Sequence, residues 1–363
     1  MNEPALEHRN NRFDALRLVA ACAVFWAHAD FLYRLHLPVP FAGHSLGSLA
    51  VYVFFFVSGF LVCQSWRRQP ELLAFTAKRV IRIYPGLVVA SVFSVVVIGG
   101  AMTTLTAGAY WAHAGTWHNL ANNASGLASV QVLPGVFESN PFARTVNGSL
   151  WTIRYELAMY AVLCVLAVGA RRHRIVYPAA AVVLAVLWFV ARTAQWDQHL
   201  SAMRGYFAEV FRWGDFCGFG VCFFIGATFA AYQLRPRGWM VGGALACAAL
   251  AYYAPHAGLV QLAVWALVAL GTYCAAFLCV REGTRTAASN WDVSYGVYIY
   301  AFPVQQAFAA MGLARGWPFW LYAAASAGIV AVLAIASWWL IERPAIRAGH
   351  RWLRRRYSTG PSS

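Results

Sequence analysis

The feature that most limits the fold is a series of apolar runs nearly free of charge, each about 17–25 residues long. That is the helix length needed to cross roughly 30 Å of hydrocarbon. They fall near residues 13–34, 48–66, 80–104, 149–169, 175–193, 214–233, 238–254, 258–280, 290–313 and 317–341. Inside a bilayer every backbone polar group must be satisfied within the segment, which selects helices. Composition agrees: 11% of residues are charged, against about 25% in a soluble domain. The expectation is an all-α, polytopic membrane protein of about ten transmembrane helices in one compact unit, residues 1–345. A basic cytoplasmic tail, 346–363, follows, and RRRYSTGPSS (354–363) reads as a basic end followed by disorder.

A net charge of +15 raises nucleic acid as a partner, but the charges sort by side. With both termini inside, twenty-one of the 28 Lys and Arg residues fall in cytoplasmic segments, among them Arg9, Arg171, Arg172, Arg281 and Arg285. Six, including Arg204, lie outside, and Arg154 lies within a span. Cationic loops stay on the cytoplasmic side, so topology accounts for the basicity and nucleic acid is not required. The apolar segment after the basic N-terminus has no small-residue cleavage site and reads as a retained first span. Membrane lipid is the implied surround, and a bacterial inner membrane the implied location.

Most connections are short, as at Arg171–Arg174, so successive helices run antiparallel. Residues 105–148 are the exception. This long external loop is rich in apolar and aromatic residues, including Trp111 and Trp117, which suits a folded re-entrant or surface-lying segment. A second external stretch, Arg192–Trp213, carries Trp196, His199 and Tyr206. All eight cysteines, Cys279 among them, fall in apolar runs without CxxC or metal-ligand spacing. They read as packing residues, and no metal is expected. Ser58-Gly59-Phe60 suits close helix approach.

Ionisable groups within a bilayer are costly and mark functional sites. His28 is the one histidine well inside a span. Arg17 lies eleven residues earlier, and eleven steps of about 100° return to within roughly 20° of the same direction, about 16 Å away along the axis. One stripe of the first helix therefore carries a cation near its cytoplasmic mouth and an imidazole deeper in. This suits a phosphate-bearing donor with a long arm, such as an acyl-CoA, whose thioester would lie near a general base. It also suits a positive-inside anchor and a packed histidine.

Two further clusters carry charge. Lys78-Arg79-Val80-Ile81-Arg82 opens the third helix, with Pro85 near its start, and suits either phosphate binding or lipid-headgroup anchoring. Asn147-Gly148-Ser149-Leu150-Trp151 leads into the fourth helix, where Glu156 can orient His28, help deprotonate an acceptor, or serve as a buried ion partner. Trp111, Trp117 and Trp151 can stack on sugar rings, although interfacial belts also use tryptophan. Asp215, Asp292 and Glu342 lie near span ends, where paired charges are usual.

Taken in order, FDALRLVAACAVFWAH (13–28), SLGSLAVYVFFFVSGFLV (45–62), RVIRIYP (79–85), NGSLWTIRYELAMY (147–160) and IERP (341–344) resemble membrane-bound acyltransferase family 3, bacterial enzymes that O-acylate glycans. The resemblance covers nearly the whole chain. It implies that Arg17 and His28 are required, that Arg79 and Arg82 serve the donor, and that the donor is acetyl-CoA or another acyl-CoA, with no tightly bound cofactor. It further implies a glycan or lipid-linked saccharide acceptor, such as a xanthan-type exopolysaccharide repeat unit, and work alongside polysaccharide-assembly proteins. Longer relatives carry a C-terminal hydrolase-like domain that this sequence lacks, so transfer would be completed in the membrane unit or with a separate partner. A transporter or flippase of a lipid-linked saccharide and a non-catalytic synthase scaffold are the rival readings.

Overall fold

A computed structural model describes residues 12–35, 38–39, 41–170, 173–194, 211–278 and 291–358. Arg9, Arg171, Arg172, Trp196, His199, Arg204, Tyr206, Cys279, Arg281, Arg285 and residues 359–363 lie outside them. The described residues are helical with no named strand, and each of the ten apolar runs carries a helix. These are α1 (Phe13–Leu32), α2 (Leu46–Arg68), α3 (Leu72–Val92), α6 (Ile153–Gly169), α7 (Val176–Thr193), α8 (Trp213–Ala231), α9 (Trp239–Tyr253), α10 (Ala257–Phe277), α11 (Ser294–Ala314) and α12 (Phe319–Ser337). Two short helices, α4 (Ala107–Ala112) and α5 (Ala114–Ser125), interrupt the long loop, and α13 (Arg343–Ser358) closes the described chain. Eight helical segments are long and apolar enough to cross a membrane. The chain is an all-α, multi-pass membrane protein.

Two expectations change, and the tail gains a structure. The chain divides into two compact units, not one: Met1–Val24, Pro38–Arg68 and Ala158–Asn290 form the first, and Phe25–Leu37, Gln69–Leu157 and Trp291–Ser363 the second. The third helix begins at Leu72, so Pro85 sits inside it and not at its start. The basic tail is helical to Ser358, with Leu353 buried and Gly349 pressed against Ile81 of α3. Leu353 packs, while Trp352 next to it stays exposed.

In the first unit, glycine lets backbones touch. A Cβ on Gly59 would lie 1.9 Å from the Phe223 carbonyl oxygen, and one on Gly226 would lie 2.1 Å from that of Phe56. α2 and α8 therefore approach through small residues, as helices without a hydrophobic driving force between them must. Aromatic rings fill the remainder: Phe55 stacks on Phe219 at 4.6 Å, and Phe13 of α1 lies between Phe60 and Phe277.

In the second unit, α3 passes through a π-helical turn at Phe93–Gly99 and ends at Met102. Wide turns of this kind recur at functional sites because they loosen the carbonyl ladder. The Tyr110 hydroxyl donates to Val95 O there, at 2.8 Å. The chain then runs back alongside α3. Tyr84 donates to Ser125 O at 2.9 Å, and Gly126, left-handed at φ 70°, sits against Leu87, Ile153 and Leu157. From Gly99 to Leu87 is about 18 Å of helix, so the loop is re-entrant. Its return limb is extended, and Asn119 and Asn123 satisfy its backbone by donating to Val130 O and Val132 O at 2.8–3.0 Å. Irregular backbone at membrane depth persists only when buried and paired in this way.

Candidate active site

α11 organises the second unit because its sequence leaves backbone groups open. Pro303 has no N–H, so Ile299 O loses its helical donor. The Asn147 amide takes that place at 3.0 Å and also reaches Ser94 Oγ at 3.5 Å. The Asn147 Oδ1 accepts from Ser149 N at 3.1 Å, an Asx-type turn that fixes the Asn147-Gly148-Ser149 segment. Gly148 is needed here, since a Cβ would meet the Phe302 ring at 2.6 Å.

Phe302 is the common wall. The His28 imidazole packs edge-on against it with centroids 4.9 Å apart, and against Phe31 at 5.7 Å. Phe142, from the end of the re-entrant loop, meets both Phe302 and Phe31. Gln305 donates to Phe25 O at 2.9 Å and so ties α1 to α11 one turn from His28. Gln306 donates to Phe142 O and Thr145 O, both at 2.7 Å, and accepts from Asn140 at 2.6 Å, which fixes the loop on the same helix.

Around this wall several buried polar atoms make no hydrogen bond: His28 Nδ1, Gln305 Oε1 and Ser149 Oγ. Buried polar groups in folded proteins are paired, so open ones on three segments that meet near one aromatic ring are candidates to face a polar ligand. Glu156 reaches the electrostatic neighbourhood of Tyr298, whose hydroxyl is bonded to Thr152 Oγ1 at 2.6 Å one turn before Phe302. It does not orient His28 through Nδ1, which is unbonded.

The arginines separate. Arg82 is held by Asp292 at 2.5 Å and Glu342 at 3.0 Å, and it lies over the Tyr295 ring at 5.4 Å. Ser294 donates to Asp292 and Ser337 to Glu342, so the carboxylates are themselves fixed. RVIRIYP and IERP thus meet in one ion cluster, and the paired charges expected at Asp292 and Glu342 are present. Asp215 pairs with Arg212 at 3.3 Å. Arg79 is half-buried on α3, one turn from Arg82, and Arg17 is half-buried in the first unit. α1 is unbroken from Phe13 to Leu32, so the Arg17–His28 spacing is helical throughout.

The tryptophans occupy two places in the second unit. Trp117 is exposed and donates to Trp111 O at 2.9 Å, with ring centroids 6.0 Å apart. Trp151 packs on Tyr155, just after Ser149. Phe302, Gln305 and Gln306 are not among the residues that the sequence singles out. Their signal there is a pair of adjacent amides beside a proline in an apolar run.

Residues 10–341 match the family model described as Acyltransferase domain. The chain is 29% identical to an O-acetyl transferase of Shigella phage Sf6 over 93% of this chain and 96% of that one. It is 30% identical to Nodulation protein 10 of Rhizobium leguminosarum bv. viciae over 98% of each. No solved structure matches. A family match of this extent, on a multi-pass helical frame with an open imidazole beside fixed amides, places the chain in the acyltransferase-3 family, as a membrane acyltransferase.

Proposed function

We propose that the protein moves an acyl group, acetyl in the first instance, from cytoplasmic acyl-CoA to a hydroxyl of a glycan, with the reacting centre at His28. The observation that carries the reading is the cluster of unbonded polar atoms, His28 Nδ1, Gln305 Oε1 and Ser149 Oγ, around Phe302. The name of the Shigella phage relative supports O-acetyl transfer, and the family resemblance supports a glycan acceptor.

In this account the His28 imidazole takes the proton of a sugar hydroxyl. The oxygen attacks the thioester carbonyl, the C–S bond breaks, and the imidazolium returns its proton to the departing thiolate. General-base help of this kind is worth about 10²–10⁴ in rate. Ser149 Oγ would donate to the developing oxyanion, and Gln305 Oε1 would accept from a hydroxyl of the acceptor. Glu156 is a positioning residue acting through Tyr298. Arg17 and Arg79 would hold donor phosphates. Arg82, already between two carboxylates, would set the position of Arg79 on α3. Trp111 and Trp117 offer a stacking surface to the saccharide, with Trp151 nearer the reacting centre. The acceptor would be an exopolysaccharide repeat unit or other lipid-linked saccharide, the membrane the inner one, with both termini cytoplasmic.

The test is the O-acetyl content of the surface glycan in a strain lacking this protein, complemented with wild type or His28→Ala at equal protein level. Wild type should restore acetylation and the alanine variant should not. Restoration by His28→Ala would remove the catalytic role. Unchanged acetylation in the deletion strain would remove that glycan as acceptor and favour a transporter or scaffold.

A further inference from the structure

His28 stands near the end of its helix. It is four residues from Leu32, the last of α1, which is about 6 Å along the axis. An imidazole that takes a proton from a sugar hydroxyl can take one from water, and water is in great excess. Transfer to a glycan therefore needs something at this end that keeps water from the thioester until the acceptor arrives.

Two rings stand there. Phe31 and Phe142 have centroids 5.2 Å apart, and they meet Phe302 at 6.2 and 6.1 Å. Phe31 also meets the His28 ring. Phe302 is 1% exposed, while Phe31 and Phe142 are 40% and 43% exposed. The pair is thus an exposed rim in front of a buried wall.

The backbone that carries Phe142 is fixed from α11. Its carbonyl and that of Thr145 both accept from Gln306 at 2.7 Å, and the Asn140 amide donates to Gln306 Oε1 at 2.6 Å and to Gln306 O at 3.0 Å. The turn closes on itself where Arg144 N donates to Phe137 O at 2.9 Å. Both of these residues are left-handed, at φ 58° and 56°, a conformation that residues with a Cβ keep only where their surroundings hold them in it. The neighbouring amide, Gln305, holds α1 through Phe25 O at 2.9 Å. Two consecutive side chains of α11 therefore fix the helix that bears the imidazole and the turn that bears the Phe142 ring.

We propose that Phe142 is a specificity-determining residue: with Phe31 it forms an apolar rim that keeps water from His28 and admits an acceptor whose C–H face covers the two rings, as that of a sugar can. The proposal rests on the acyl-CoA reading above. Without the ring, water takes the place of the sugar hydroxyl. His28 takes a proton of water, the oxygen attacks the thioester carbonyl, the C–S bond breaks, and the proton passes to the thiolate. The products are acetic acid and the free thiol of coenzyme A.

The experiment gives acetyl-CoA to the full chain in nanodiscs, in buffer alone and with surface glycan purified from the deletion strain, and measures thiol release and glycan acetylation. Phe142→Ala should release thiol in buffer at least tenfold faster than wild type and acetylate less glycan per thiol released, at an unchanged unfolding midpoint. Phe142→Ala/His28→Gln should bring release back to the wild-type level or below. If Phe142→Ala does not fold, Phe142→Leu, which keeps part of the apolar cover, should release thiol at least threefold faster than wild type. Release at the wild-type rate from both Phe142 variants, with glycan still acetylated by wild type, overturns the rim and leaves the acyl-CoA reading intact. Faster release that persists in Phe142→Ala/His28→Gln also overturns the rim. Faster, His28-dependent release by a protein that leaves this glycan unacetylated upholds the rim and removes the glycan as acceptor. No thiol release by any of the proteins, with or without glycan, overturns the acyl-CoA reading and the rim with it.

Discussion

The surroundings of Arg82 and of His28 lie in the same unit and handle buried polarity in opposite ways. At Arg82 the charges close on one another: one guanidinium, two carboxylates, two serine hydroxyls and a tyrosine ring. At His28 the backbone is fully tied down by amides from Asn147, Gln305 and Gln306, yet Nδ1, Gln305 Oε1 and Ser149 Oγ stay open. The first arrangement holds helices together, with its charges compensated by one another. The second is rigid around its edge and unsatisfied at its centre. Intramembrane charge alone does not separate structure from chemistry; the state of the hydrogen-bonding partners does.

The largest effect that would break this contrast is expected at Arg82. Arg82→Gln leaves two buried carboxylates facing each other, and removing one partner of such a pair costs about 3–5 kcal/mol. Thermal unfolding in detergent should show the loss, with Glu342→Gln in the same background recovering part of it. A wild-type midpoint in the single variant would mean that the cluster is not structural.

Next comes Gly148. An added Cβ meets the Phe302 ring at 2.6 Å, and overpacking of this kind costs about 1–3 kcal/mol. Gly148→Ala should lower both the unfolding midpoint and transfer, and Phe302→Leu should restore the midpoint more than the activity. Asn147→Ala is comparable: it leaves Ile299 O without a donor, at about 1–3 kcal/mol by the cost of an unsatisfied buried group, read from the same melting curves. The smallest effect on stability belongs to Trp117→Ala. The exposed ring should change the midpoint little, at most about 0.5 kcal/mol, while raising KM for the glycan. A variant that melts early but keeps its KM would make Trp117 a packing residue.

Much of this contrast is legible in the sequence. The spans, the Arg17–His28 spacing and the three charged motifs follow from periodicity and from the cost of ionisable groups in lipid. The meeting of Arg82 with Glu342 is not legible there, because a pair 260 positions apart leaves no local mark. Asn147 belongs to a common tripeptide, and its role appears only once Pro303 is seen to leave Ile299 O open for it. The helix that the basic tail forms is not legible because Ile346, Trp352 and Leu353 are few among the arginines, and the surface that buries Leu353 exists only once α3 extends back to Leu72. The division into two units likewise depends on contacts, not on composition.

The most direct measurement pairs stability with transfer in the purified protein. Wild type, His28→Gln and Arg82→Gln would be reconstituted into proteoliposomes with labelled acetyl-CoA and the glycan acceptor, and each scored for unfolding midpoint and label on the glycan. His28→Gln should melt with wild type and transfer at least a hundredfold less, while Arg82→Gln should melt earlier. If His28→Gln transfers at the wild-type rate, or loses transfer only in proportion to lost fold, the open polar centre around Phe302 is not where the chemistry happens.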